Sequence, residues 1–167
     1  MKNKYFYLVA SLPYLRLTKE MSFSVEDFIH ECEKWLTPPD MKALLSADIH
    51  DPERAGEDFE LLRGWKEFDS RLKKELAGIR EASRKGESYK TPDVLQETMA
   101  RENPLLMEES LEKTRWDFLE ERAFRYNFDL NRLVLYFLKL QILERMSRFN
   151  KDAGESFFHS LCEVRYE

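Results

Sequence analysis

The chain is expected to be all-α, a compact single-domain bundle of about six helices spanning residues 1–167, with one very apolar central helix near the C-terminus. Three observations carry this expectation. Apolar residues recur every three or four positions over long stretches, the signature of a helix with one buried face. Gly and Pro are scarce, five and six in 167 residues, so turns are few and a sandwich or barrel is disfavoured. Helix-start signals recur at Ser24, Thr37, Thr91, Asn103 and Asp129.

The elements follow in order. Residues 5–10, Tyr-Phe-Tyr-Leu-Val-Ala, are too short for periodicity to separate strand from helix. No clear partner strand exists, so a turn or helix packed on the core is expected. Ser24-Val25-Glu26-Asp27 reads as a capping box, followed by Val25, Phe28, Ile29, Cys32 and Leu36 at helical spacing. Thr37-Pro38-Pro39-Asp40 restarts a helix, with Thr37 as N-cap and proline tolerated in the first turn. Pro52 ends that region by pushing Asp51 away from helical dihedrals.

One long helix is expected from about Glu57 to Lys85, along the stripe Phe59, Leu62, Trp65, Phe68, Leu72, Leu76 and Ile79. Gly64 and Gly78 weaken it, and Gly86 suits its C-terminal cap. A weaker helix is expected over residues 90–101. Another follows Asn103-Pro104 and buries Leu111, Phe118, Leu119 and Ala123. Residues 133–143 hold nine apolar residues in eleven, interrupted only by Lys139 and Gln141. A helix apolar nearly all round is buried or spans a membrane. Arg132 and Glu144 flank this one too closely for a span. A last short helix is expected around Phe157, Phe158, Leu161 and Cys162.

Composition removes several functions. A formal net charge of −5 argues against general nucleic-acid binding, which depends on neutralising phosphates. Two cysteines, Cys32 and Cys162, make no disulfide framework and fit a reducing compartment. No secretory signal and no membrane span are legible, so a cytoplasmic protein is expected. Charge is uneven: residues 26–60 carry eleven acids and three bases, whereas residues 61–90 carry nine bases and five acids. Solvated helix faces explain this most simply, and opposite ends that meet different partners are the functional alternative.

Candidate chemistry is sparse. There is no phosphate-binding glycine loop and no nucleophile elbow. The order His30, His50-Asp51, Asp129 resembles the metal-dependent phosphohydrolases of the HD-domain class, whose imidazole and carboxylate ligands hold a divalent metal. Pro52 breaks the helix that such a His-Asp pair requires. His159 and Cys162 are spaced for one helix face, yet structural zinc needs about four ligands. The acid pairs Glu108-Glu109 and Glu120-Glu121 diverge by about 100° on a helix and are expected on solvent faces. No catalytic, cofactor-binding or metal residue is assigned, and no cofactor is expected. Most aromatics are expected in the core. Trp35 and Trp116 lie off the apolar lines of their helices and are the candidates for an interface with another protein.

Two stretches resemble a bacterial family of uncharacterised proteins associated with V/A-type ATPases. The first is Tyr5-Phe6-Tyr7-Leu8-Val9-Ala10-Ser11-Leu12-Pro13 with Ser24-Val25-Glu26-Asp27-Phe28. The second is Arg115-Trp116-Asp117-Phe118-Leu119-Glu120, with Phe128-Asp129-Leu130-Asn131 and Leu140-Gln141-Ile142-Leu143-Glu144-Arg145. That family looks like a reduced relative of the ATPase subunit called C in prokaryotes and d in eukaryotes, an all-helical cap on the rotor ring. This chain is about half as long and lacks the threefold repeat of that subunit. The resemblance implies a non-catalytic stalk or connector component, with rotor-ring and stalk subunits as partners and a peripheral place on the inner face of the membrane. A free-standing helical adaptor or assembly chaperone is the alternative.

Overall fold

A computed structural model describes residues 4–18, 23–51, 60–87 and 104–149. Six α-helices occur among them and no strand: α1 Phe6–Ser11, α2 Val25–Glu33, α3 Pro38–Leu45, α4 Glu60–Lys85, α5 Pro104–Ala123 and α6 Leu130–Ser147. The fold is all-α, as the spacing of apolar residues predicts. The expected helices at 90–101 and 157–162, and the stretch from Glu57 to Phe59, lie outside the described residues.

The ends of the helices follow local chemistry. The Ser24 hydroxyl accepts from the Asp27 amide at 3.0 Å, and the Asp27 carboxylate accepts from the Ser24 amide at 3.1 Å. That reciprocal pair is the capping box read from the sequence. Thr37 occupies the N-cap of α3, but its hydroxyl makes no cap bond to the backbone. It donates instead to the Asp40 carboxylate at 2.7 Å. Asp129 caps α6 by accepting from the Arg132 amide at 3.0 Å. Gly86 adopts φ +70°, and the Glu87 amide reaches the Ala82 carbonyl at 3.0 Å. This six-to-one bond after a left-handed residue is the Schellman ending, which favours glycine.

Helix α6 is the hub, packed against α5, α2 and α3. Every residue from Leu133 to Leu140 is buried, along with Ile142, Leu143 and Met146. Phe28 of α2 stacks on Tyr136 and Phe137, with ring centroids 5.1 and 5.8 Å apart. On the other side, Phe68 of α4 stacks on Phe118 of α5 at 4.0 Å, beside the fully buried Trp65. Farther along α4, Leu72 and Leu76 form a smaller cluster with Leu111 of α5.

Both polar interruptions of the α6 stripe have partners. The Gln141 amide accepts from the Ile49 backbone and donates to the Ala47 carbonyl, each at 2.9 Å. It thereby pins the segment after α3, whose backbone groups would otherwise be buried without partners. Lys139 reaches across to Glu120 of α5.

A buried ion network joins α4, α5 and α6. Arg115 donates through Nε and Nη2 to Asp69 at 3.1 Å each, and through Nη1 to Glu112 at 2.7 Å. Arg145 of α6 contacts Glu112 at 3.1 Å and donates to Glu108 at 3.0 Å. Lys73 closes the other end on Asp69 at 2.7 Å. The expectation that the acid pairs lie on solvent faces is corrected here for Glu108 and Glu120. Each is only part-exposed and holds a cation of α6, because the neighbouring helix presents the buried Lys139 and the half-buried Arg145, which need counter-charges. No helix among the described residues is long and apolar enough to cross a membrane.

Candidate interaction surface

The feature that stands out is a run of exposed aromatic side chains at one end of the bundle. Helix α1 buries Leu8 but leaves Phe6 and Tyr7 45% and 73% exposed. Trp35, just after α2, is 52% exposed. The Tyr7 and Trp35 rings stack with centroids 6.4 Å apart and 24° between their planes. Phe6 meets Tyr7 edge-on at 5.6 Å and packs on Phe128 at 4.5 Å. The result is a continuous aromatic strip, Phe128–Phe6–Tyr7–Trp35, drawn from three segments. Phe124, in the same α5–α6 connection as Phe128, is 88% exposed.

The strip rests on a fixed base. The Tyr5 amide donates to the Phe128 carbonyl at 3.0 Å, tying α1 to the α5–α6 connection. The Trp35 and Leu36 amides reach the carbonyl of buried Cys32 at 3.0 and 2.9 Å, which sets where Trp35 leaves α2. A polar clamp then ties α1 to α3: Lys4, the Tyr5 hydroxyl and the Thr37 hydroxyl all donate to the Asp40 carboxylate. Partial burial pushes the Asp40 carboxyl up, but these donors outweigh it and hold it below the usual carboxylate range. Burial and the bond to Asp40 push the Tyr5 phenol up, so it stays a neutral donor.

Such a surface suits binding rather than chemistry. Large apolar side chains exposed side by side mark interaction sites on soluble proteins. Tyr and Trp are favoured there because they bring large area at low conformational cost. Their mutual stacking also holds the rings in place before a partner arrives.

The residues singled out in the sequence end in different places. Trp35 lies in the strip. Trp116 is only 7% exposed, and its ring lies 4.8 Å beneath the Lys139 ammonium. Its indole is thus spent inside this chain, because α5 packs a broader face on α6 than its apolar spacing suggests. His30 and His50 are exposed, and Asp129 spends its carboxylate on the α6 cap. Among the described residues no three His, Cys, Asp or Glu side chains gather where they could hold a metal. Burial pushes the Cys32 thiol up to about 12, so it behaves as a core residue rather than a nucleophile. His159 and Cys162 lie outside the described residues.

Sequence reasoning expected the opening run to be a turn or helix packed on the core, which Leu8 bears out, and did not single out Phe6 and Tyr7 as exposed. The available signal was the short length of that run: one helix of six residues cannot bury every side of itself.

Comparison with known proteins adds one finding. Residues 85–164 match the model of a family described as a protein of unknown function, DUF2764. The match takes in α5, α6 and Phe128 of the strip, while Phe6, Tyr7 and Trp35 lie before it. No curated protein matches the chain, and no solved structure does.

Proposed function

We propose that this chain is a non-catalytic helical component or accessory protein of a V/A-type ATPase, docking through the aromatic strip Phe6–Tyr7–Trp35. The observation that carries the docking role is the exposed Tyr7–Trp35 stack, held on a buried base. The choice of partner rests on the resemblance of the opening residues and of the Arg115–Glu120 and Leu140–Arg145 stretches to an ATPase-associated family. The uneven charge supports a connector: acids crowd residues 26–60 and bases crowd residues 61–90. Opposite potentials at two sites steer different neighbours into place.

The test is recovery of the tagged protein from its own gently solubilised membranes, beside a Tyr7→Ala/Trp35→Ala double variant. Stalk and rotor-ring subunits should co-purify with the wild type at constant ratio and be lost from the variant. Recovery well below one-to-one would make the chain an assembly factor instead. Recovery of no ATPase subunit would overturn the assignment. Equal recovery with the double variant would overturn the role of the strip.

A further inference from the structure

A second feature shares no residue with the strip. A cleft of about 150 Å³ opens between the end of α1, the chain that follows it, and α6, with Glu120 of α5 on its wall. That is well above the ~10–15 Å³ that one ordered water requires. Val9, Leu12 and Leu135 give it an apolar lining. The Tyr136 hydroxyl donates to the Pro13 carbonyl at 2.8 Å and holds the covering chain in place. Two cations reach this space, Arg132 and Lys139, both from α6.

Lys139 is only 7% exposed, yet it lines the cleft. An ammonium carries three donors. Among the described residues Lys139 contacts one carboxylate, Glu120, and one indole face, Trp116. Among the described residues Arg132 donates from Nη1 to the Ala123 carbonyl at 3.1 Å, one of the five donors that a guanidinium carries. Burial pushes the Lys139 ammonium down, against the bond to Glu120, and the nearby Arg132 charge pushes it down further. Two cations lining one partly apolar space, with one half-exposed acid on its wall, are complementary to an added negative charge.

We infer that this cleft binds a small organic monocarboxylate, with its carboxylate between Lys139 and Arg132 and its apolar body against Val9, Leu12 and Leu135. The apolar side chains of the lining favour such a ligand over a fully hydrated anion, since desolvating a charge with no apolar gain is costly. The site shares no residue with the aromatic strip, so the inference stands or falls independently of the ATPase reading.

Benzoate is the probe, followed through the backbone amide resonances of Leu135 and Tyr136 in the full-length protein. Saturable shifts are expected. Benzyl alcohol, of the same shape without the charge, and inorganic phosphate, charged without the ring, should each bind at least tenfold more weakly. Lys139→Met and Arg132→Gln should each weaken benzoate about tenfold. Glu120→Gln should tighten it, because it frees Lys139 from its internal partner. If Lys139→Met does not fold, Arg132→Gln and Glu120→Gln carry the test. Absence of saturable shifts, equal binding of benzyl alcohol or phosphate, or unchanged affinity in folded variants would overturn the inference.

Discussion

Arg115 shows how much a single side chain can organise. Its guanidinium faces two acids that are themselves buried, Asp69 and Glu112. Replacing it with Ala leaves Asp69 with Lys73 and Glu112 with Arg145 as their remaining counter-charges among the described residues. Breaking a buried pair in this way costs roughly 3–5 kcal/mol, which denaturant unfolding of Arg115→Ala would measure. Glu112 gives a pH signature. Burial pushes its carboxyl up, and the attraction of Arg115 and Arg145 does not fully offset that. A carboxyl whose folded pKa lies above its unfolded value costs stability as pH rises from its model value of 4.5 through the raised folded value. Asp40 acts in the opposite direction: its lowered pKa contributes stability above the ordinary value of 3.8 and loses it as pH falls. Glu112→Gln should therefore remove a downward component of the stability curve just above pH 4.5. A curve unchanged in that window would refute the assignment.

Individual helices show where local rules suffice and where neighbours intervene. Ser24 caps α2 as its pattern dictates, and Ser24→Ala should cost about 1 kcal/mol in thermal or denaturant unfolding. Gly64 sits inside α4, and among the described residues a Cβ there would meet only the Arg122 side chain, at an ordinary 3.8 Å. Gly64→Ala should therefore stabilise the protein by about 0.5–1 kcal/mol. A loss of stability would show that α5 lies closer than described. In α6, Gln141 looks like a flaw in an apolar stripe. It is instead the tether of the segment after α3, through Ala47 and Ile49. Gln141→Leu should cost about 1–3 kcal/mol, because two buried backbone groups lose their partners.

For the molecule as a whole, the central position of α6 makes a prediction about dynamics. Its side chains are buried against α2, α3 and α5 together. Its amides should exchange with solvent most slowly, because opening them requires separating several elements at once. Leu138, fully buried in α6, should cost about 2–5 kcal/mol when cut to Ala. Tyr7 and Trp35 are the counterpart at the surface. Both are more than half exposed, so the double alanine variant should unfold within about 1 kcal/mol of the wild type while losing its partner. A large loss of stability would mean that the strip belongs to the fold rather than to a partner.

Much of this architecture was legible in the residue order. Spacing of three and four marked α2, α4 and α5, the Ser24 and Asp129 caps marked helix starts, and Gly86 marked an end. These are local rules, decided within a few residues by backbone sterics and orphan hydrogen-bonding groups, so one sequence is enough to read them. The positions that tertiary structure decided are those whose meaning depends on another helix. Trp116 and Trp35 both lie off an apolar line, yet one is covered by Lys139 and the other faces solvent. Glu108, Glu112 and Glu120 read alike along α5, but each meets a different cation or burial. The aromatic strip and the cleft each draw on segments far apart in the chain. Periodicity tells which face of a helix is apolar; only packing tells which of those faces finds a neighbour and which is left for a partner.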